Sequence, residues 1–186
     1  LDLCAAPGGK TMQLAAAGWD VLAVDQSERR AERLRANLTR TGLSAIVLKA
    51  DLRSWTPDRP ASAILLDAPC SATGIFRHPD VIHRIGPRQI EELAQLQAVL
   101  LDRALDWLEP GGRLVYATCS LEPQEGEAQI ATLLARRSDV RPVMIDPMVL
   151  PTGVTSGVAG QVRTLPGTLA EQGGLDGFFI ALLTKD

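Results

Sequence analysis

Two cysteines and an aspartate carry the most chemically telling pattern in this chain. They lie in Asp67-Ala68-Pro69-Cys70-Ser71-Ala72-Thr73-Gly74 and in Thr118-Cys119-Ser120, each segment directly following a short apolar run. If those runs are neighbouring strands, both thiols sit at strand ends beside Asp67. A thiolate is a strong nucleophile and also a tolerable leaving group, so it suits catalysis in which a sulfur adds to the substrate and is later expelled. C5 of a pyrimidine is an acceptor that needs such help, because it is too weakly nucleophilic to take a methyl group unaided. Thiolate addition at C6 turns the ring into an enamine that attacks the methyl donor, and loss of the C5 proton then releases the thiol. Other readings of the pair stay open: small buried hydrophobes, or a Cys70–Cys119 disulfide. A zinc site lacks both a CxxC and a nearby histidine pair. The residues alone leave open which cysteine attacks.

The second pattern is Cys4-Ala5-Ala6-Pro7-Gly8-Gly9-Lys10-Thr11, small residues joining a strand to a helix so that backbone amides can approach a ligand. A P-loop would share Gly9-Lys10-Thr11, and Ala63–Leu66 before Asp67 imitates its second motif. However, Cys4 stands where the first P-loop glycine belongs, and the dinucleotide pattern Gly-x-Gly-x-x-Gly is absent. Asp25, Asp51 and Asp67 each end a strand candidate, which places three acids along the edge where open α/β sheets bind ligands. Asp25 can accept from ribose hydroxyls and Asp51 from an adenine amino group, so this loop reads as that of a methyltransferase. Helix capping is the plain alternative for any one of these acids. The Asn/Asp-Pro-Pro-Tyr/Phe signature of amino-group methylation is absent.

These residues need a framework of alternating strands and helices, implying a mostly parallel sheet covered on both faces. Strand candidates are Leu1–Leu3, Asp20–Asp25, Ala45–Ala50, Ala61–Asp67, Arg113–Thr118 and a closing Gly177–Thr184. Helical patterns run over Lys10–Ala17, Glu28–Thr41 with Gly42 as its stop, Pro87–Leu108 ended by Pro110-Gly111-Gly112, and about Glu125–Arg137. In the longest, the apolar stripe is Ile90, Leu93, Leu96 or Gln97, Leu100, Leu101, Ala104, Leu105 and Leu108. A Gly- and Pro-rich stretch fills 142–174. Because the sequence opens inside a strand that should be central, it is expected to lack the start of that strand.

The 186 residues, 46% hydrophobic and 22% charged, suit one domain with a full core. No apolar run approaches the roughly 20 residues that span a bilayer, and no signal peptide is visible. Three cysteines make no disulfide framework, so a reducing cytoplasm is the expected setting. Net charge is −3 and the pI about 5.4, a balance that argues mildly against gripping nucleic acid through phosphates. Basic residues nevertheless cluster at Arg29, Arg30, Arg33, Arg35 and Arg40, where Glu28 and Glu32 favour a solvated face, and again at Arg77, His78, His83, Arg84 and Arg88.

Taken in order, Cys4–Thr11, Leu65–Gly74, Arg77-His78-Pro79-Asp80, Tyr116–Ser120 and Asp176-Gly177-Phe178-Phe179 resemble the Nol/Nop/Sun family of RNA cytosine-5 methyltransferases, in its bacterial RsmB (Sun, Fmu) branch acting on small-subunit ribosomal RNA. The resemblance covers nearly the whole chain. It implies a Rossmann-like class I methyltransferase fold with an antiparallel C-terminal strand, S-adenosyl-L-methionine as cofactor, RNA as partner and no metal. By it Cys119 would be the nucleophile, Cys70 the cysteine that aids breakdown of the adduct, Asp67 the group bonded to the N3 edge of the cytosine, and Lys10 a neighbour of the base. Cofactor contacts would come from Cys4, Ala5, Ala6, Pro7, Gly8, Gly9, Lys10, Asp25, Arg30, Asp51 and Asp67. The basic cluster after the Cys70 loop would hold phosphates flanking a flipped-out base. An RNA-binding region is expected ahead of this catalytic domain and is absent from residues 1–186. One departure is Val81-Ile82-His83, where the branch usually carries Ile-Lys-Trp.

Overall fold

The structure, a computed structural model, describes residues 1–75, 80, 85–157 and 160–186. Strands β1 (Asp2–Leu3), β2 (Leu22–Asp25), β3 (Ile46–Lys49), β4 (Ala61–Asp67) and β5 (Leu108–Thr118) run parallel in the order β3-β2-β1-β4-β5. Beyond β5 the closing strand, Phe179–Lys185, pairs antiparallel to it. Two further three-residue strands, Val140–Pro142 and Gln161–Arg163, pair antiparallel to the free edge of the closing strand. In chain order these last three are β6 (Val140–Pro142), β7 (Gln161–Arg163) and β8 (Phe179–Lys185).

Among the described residues four helices cover the sheet: α1 (Gly9–Ala16), α2 (Glu28–Thr41), α3 (Pro87–Trp107) and α4 (Glu127–Arg136). The side-chain alternation of a strand explains the two cores. Val21 and Ala23 pack with Leu34 and Leu38 of α2 on one face. Val24 and Leu3, with Leu66, Leu114, Tyr116, Phe179 and Leu183, pack against Leu100, Leu101, Ala104 and Leu105 of α3 and Ile130 and Leu133 of α4 on the other. α2 starts where Ser27 caps the backbone N–H of Arg30 and stops at Gly42, which adopts φ 68°.

The structure redraws three boundaries. Pro110-Gly111-Gly112 does not end a helix: α3 stops at Trp107, β5 begins at Leu108, and the chain bulges between the pairs Ala61–Leu108 and Ala63–Arg113. The helix expected from Glu125 is split into a 3₁₀ turn, Pro123–Glu125, and α4. Within the Gly- and Pro-rich stretch lies β7, and β6 ends on its first residue, Pro142. Strands of three residues are too short for alternation to be read.

Candidate active site

The parallel strands deliver their polar ends to one edge. β1 runs into Cys4, whose φ is 59°, and the turn closes with Gly8 at φ 102°. A Cβ on Gly8 would lie 2.8 Å from Leu34 Cγ, so glycine lets the turn sit against α2. β2 ends in Asp25, whose buried carboxylate accepts from Ala6 N (3.1 Å) and Ser27 N (2.9 Å). Arg30 lies 3.4 Å from that carboxylate and donates to the Ala6 carbonyl, tying the turn to α2. The P-loop alternative fails here. Lys10 Nζ is 2.7 Å from Asp67 Oδ2, and the buried Thr11 hydroxyl donates to Asp2 Oδ2 at 2.5 Å, so neither is free for phosphate or magnesium.

A cleft of about 470 Å³ crosses the ends of β3, β2, β1, β4 and β5. Asp51, Asp25, Cys4 and Asp67 line it, with Leu52, Leu96 and Leu100 as apolar wall and Cys70 and Cys119 at one end. The volume is that of a small-molecule site. Its three carboxylates offer acceptors to a ligand with hydroxyl, amine or cationic groups. Among the expected cofactor contacts, Cys4, Asp25, Arg30, Asp51 and Asp67 line the cleft, whereas Ala5, Ala6, Pro7, Gly8, Gly9 and Lys10 are not among its lining residues. Ala5, Ala6 and Gly8 are buried, and Pro7 and Gly9 are exposed. Asp51 is engaged already: Arg53 donates to it from its backbone N (2.9 Å) and from Nη2 (2.6 Å), holding the carboxyl down at about 2. Gln26, Leu52, Arg53, Pro69, Leu96 and Leu100 also line the cleft, and the sequence reading assigned none of them to a site.

At the reactive end, Cys70 Sγ and Cys119 Sγ are 3.4 Å apart. Their hydrogen bond makes the thiols unequal. Cys119 is lowered from the ordinary thiol range by the contact with Cys70, whereas Cys70 is raised by the same contact and by burial. Cys119 is thus the first of the pair to ionise, and once it has, only Cys70 retains an S–H to donate, a distinction the sequence could not make. Burial pushes the third thiol, Cys4, up to about 12. The Lys10 ammonium, on Asp67, also lies 5.7 Å from the centre of the Phe178 ring.

A buried polar cluster behind the thiols escaped the sequence reading. Glu125, fully buried, accepts from Ser71 N (2.9 Å) and Gln97 Nε2 (2.8 Å) through one oxygen, and from the Ser71 and Ser120 hydroxyls through the other. Gln97 Nε2 also donates to Pro69 O (2.8 Å), and Tyr116 Oη to Glu125 O (2.8 Å). Gln97, a polar residue within an apolar stripe, was the available signal.

Of the basic cluster, Arg77, His78, His83 and Arg84 lie outside the described residues, as do Phe76, Pro79, Val81 and Ile82. Arg88 is exposed and paired with Glu92 (3.0 Å). Among the described residues no group of three His, Cys, Asp or Glu could hold a metal ion, and no helix is long and apolar enough to cross a membrane.

Comparison with known proteins places this geometry. A family model described as 16S rRNA methyltransferase RsmB/F matches residues 1–184. The chain is 49% identical over 191 residues to Ribosomal RNA small subunit methyltransferase B of Salmonella arizonae, and 48% to that of Salmonella heidelberg; all of this chain is covered, and it spans 42% of the length of either relative. Among solved structures, NSun6 from Pyrococcus horikoshii with SFG superposes with a TM-score of 0.86 at 29% identity, covering 99% of this chain and 47% of that one. The N-methyltransferase NodS from Bradyrhizobium japonicum in complex with S-adenosyl-l-homocysteine shares the fold alone, with a TM-score of 0.58 at 14% identity over 99% and 76% of the two chains.

Proposed function

The chain belongs to the 16S rRNA methyltransferase RsmB/F family, whose cofactor is S-adenosylmethionine, and from that membership we propose that it methylates C5 of a cytosine in small-subunit ribosomal RNA through a covalent bond between Cys119 and the base. The observation that carries this reading is the 3.4 Å contact between Cys70 and Cys119 beside the Lys10–Asp67 pair.

The cleft suits the cofactor. Its ribose hydroxyls, ammonium and adenine amine are donors, and the cleft supplies Asp25, Asp51 and Asp67 as acceptors with leucines for the apolar parts. When bound, S-adenosylmethionine supplies an electrophilic methyl group on a cationic sulfur. Asp67 holds the N3 edge of the base and favours the charge distribution of the adduct. The Lys10 ammonium fixes the Asp67 carboxylate and lies near the base. The Cys119 thiolate, stabilised by the Cys70 S–H, adds at C6, so that the electrons of the C5–C6 bond become available at C5 for the methyl group. After methylation the C5 proton leaves to solvent, the C6–S bond breaks and the electron pair returns to Cys119. The Cys70 S–H, donating to the departing sulfur, assists that last step.

The test is incubation of the protein with S-adenosylmethionine and small-subunit ribosomal RNA containing 5-fluorocytidine. Fluorine cannot leave C5 as a proton does, so a protein–RNA band stable to denaturant is expected, and Cys119→Ala should abolish it. A band retained in Cys119→Ala and lost in Cys70→Ala would reverse the two roles.

A further inference from the structure

We propose that Glu125 is a positioning residue for this reaction, its buried carboxylate bridging the loop that carries Cys70 and the loop that carries Cys119 so that the two sulfurs stay in contact. The proposal rests on the transfer reading above for its purpose, though not for its geometry.

The bridge is made of the residues next to the thiols. Ser71 follows Cys70 and Ser120 follows Cys119, and both hydroxyls donate to the same Glu125 oxygen while standing 3.0 Å from each other. The other Glu125 oxygen accepts from the Ser71 amide and from Gln97, and Gln97 also holds the Pro69 carbonyl, so the Cys70 loop is gripped on both sides of the cysteine. The Cys119 side is gripped likewise, because Tyr116 and Thr118, on β5 just before Cys119, donate to the Glu125 carbonyl at 2.8 and 3.2 Å. Burying a carboxylate is unfavourable unless its partners compensate, and an apolar residue would fill the space more cheaply. Every partner of this carboxylate except Gln97 belongs to one of the two cysteine loops, and Gln97 binds the Cys70 loop as well.

Charge adds to geometry. The groups acting on Cys119 are Cys70, Asp67 and Lys10, and those acting on Cys70 are Cys119 and Glu125; Tyr116 lies close to Cys70 and Glu125. A carboxylate at Glu125 adds to what disfavours negative charge on Cys70, so Cys119 is the thiol of the pair that ionises first.

The experiment is alkylation of the purified protein by iodoacetamide across pH, with Cys119 followed by peptide mass spectrometry, in wild type, Glu125→Gln, Ser71→Ala and Ser120→Ala. Thermal unfolding and S-adenosylhomocysteine affinity are measured on each. In Glu125→Gln the midpoint of Cys119 reactivity should rise by about one pH unit, a roughly tenfold slower alkylation at neutral pH, with cofactor affinity unchanged. Each serine variant should shift it partway, and Ser120→Thr should restore it. A folded Glu125→Gln with the wild-type profile would overturn the proposal. If Glu125→Gln does not fold, unshifted profiles in both serine variants overturn it, and shifted ones support it. The 5-fluorocytidine adduct separates the two claims. A shifted profile with no adduct in wild type sinks the transfer reading and leaves the bridge, whereas an adduct with an unshifted profile does the reverse.

Discussion

Cys70 Sγ lies 3.4 Å from Cys119 Sγ, and the contact spans the gap between the ends of two adjacent parallel strands, β4 and β5. One proton shared at that distance makes one thiol more acidic and the other less. The consequences for reactivity can be measured without any RNA.

At neutral pH, Cys119 should be alkylated faster than Cys70 or Cys4, since only the thiolate reacts. Cys119 is lowered and so ionises first as pH rises, whereas Cys4, pushed up to about 12, stays protonated through the accessible range. Cys70→Ala removes the donor and should slow Cys119 alkylation at neutral pH several-fold. Equal rates at all three cysteines would contradict the assignment.

Methyl transfer should fall by at least about 10³-fold in Cys119→Ala, the scale seen when a nucleophile is removed. Cys70→Ala should instead accumulate a protein–RNA adduct on unmodified RNA, because the assisted departure of Cys119 is lost. Gel mobility after denaturation distinguishes these outcomes.

The Lys10–Asp67 ion pair separates stability from chemistry. Both side chains are about one-third exposed, at 38% and 32%, so the pair contributes at most about 1 kcal/mol to folding. Asp67→Asn should leave the unfolding midpoint within a few degrees of wild type yet lower methyl transfer by about 10²-fold or more. A large loss of stability with residual activity near wild type would show the pair to be structural.

Asp2, under the glycine turn, gives a pH dependence of stability. Burial raises its carboxyl from the usual 3.8 to about 6, and one of its oxygens has no hydrogen-bond partner among the described residues. A raised carboxyl holds its proton more tightly when folded, so its contribution is intact below about pH 4 and is lost as pH rises through 6. The two-unit shift corresponds to about 3 kcal/mol at neutral pH. Asp2→Asn should therefore raise the unfolding midpoint by several degrees at pH 7.5 and have little effect at pH 4, as read by scanning calorimetry.

Gly74 is the point where three loops meet. Its N–H donates to Cys119 O (3.0 Å), its carbonyl accepts from Gly177 N (2.6 Å), and a Cβ there would stand 2.1 Å from Gly177 O. Gly74→Ala should cost about 1–3 kcal/mol of stability, and Cys119 alkylation should lose its preference over Cys70. Urea unfolding with peptide mapping checks both.

The sequence by itself determined the alternating framework, the glycine turn, the three strand-end acids and the cysteine pair with Asp67. All of these follow from local signals: periodicity, turn residues, and polar groups placed directly after apolar runs. The boundaries at Leu108, Glu125 and β7 were not local, since a Pro-Gly-Gly bulge and three-residue strands take their form from the strand they pair with. Nor was Asp51 seen to be held by Arg53, because a strand-end acid shows nothing of its partners in sequence. Only the tertiary structure made the two cysteines unequal, since their sulfurs come from positions 49 residues apart and their acidity depends on which one donates to the other. The same holds for Glu125. In sequence it is one acid at the start of a helix, and it becomes the bridge of the site only when β4 and β5 bring Ser71 and Ser120 to either side of it.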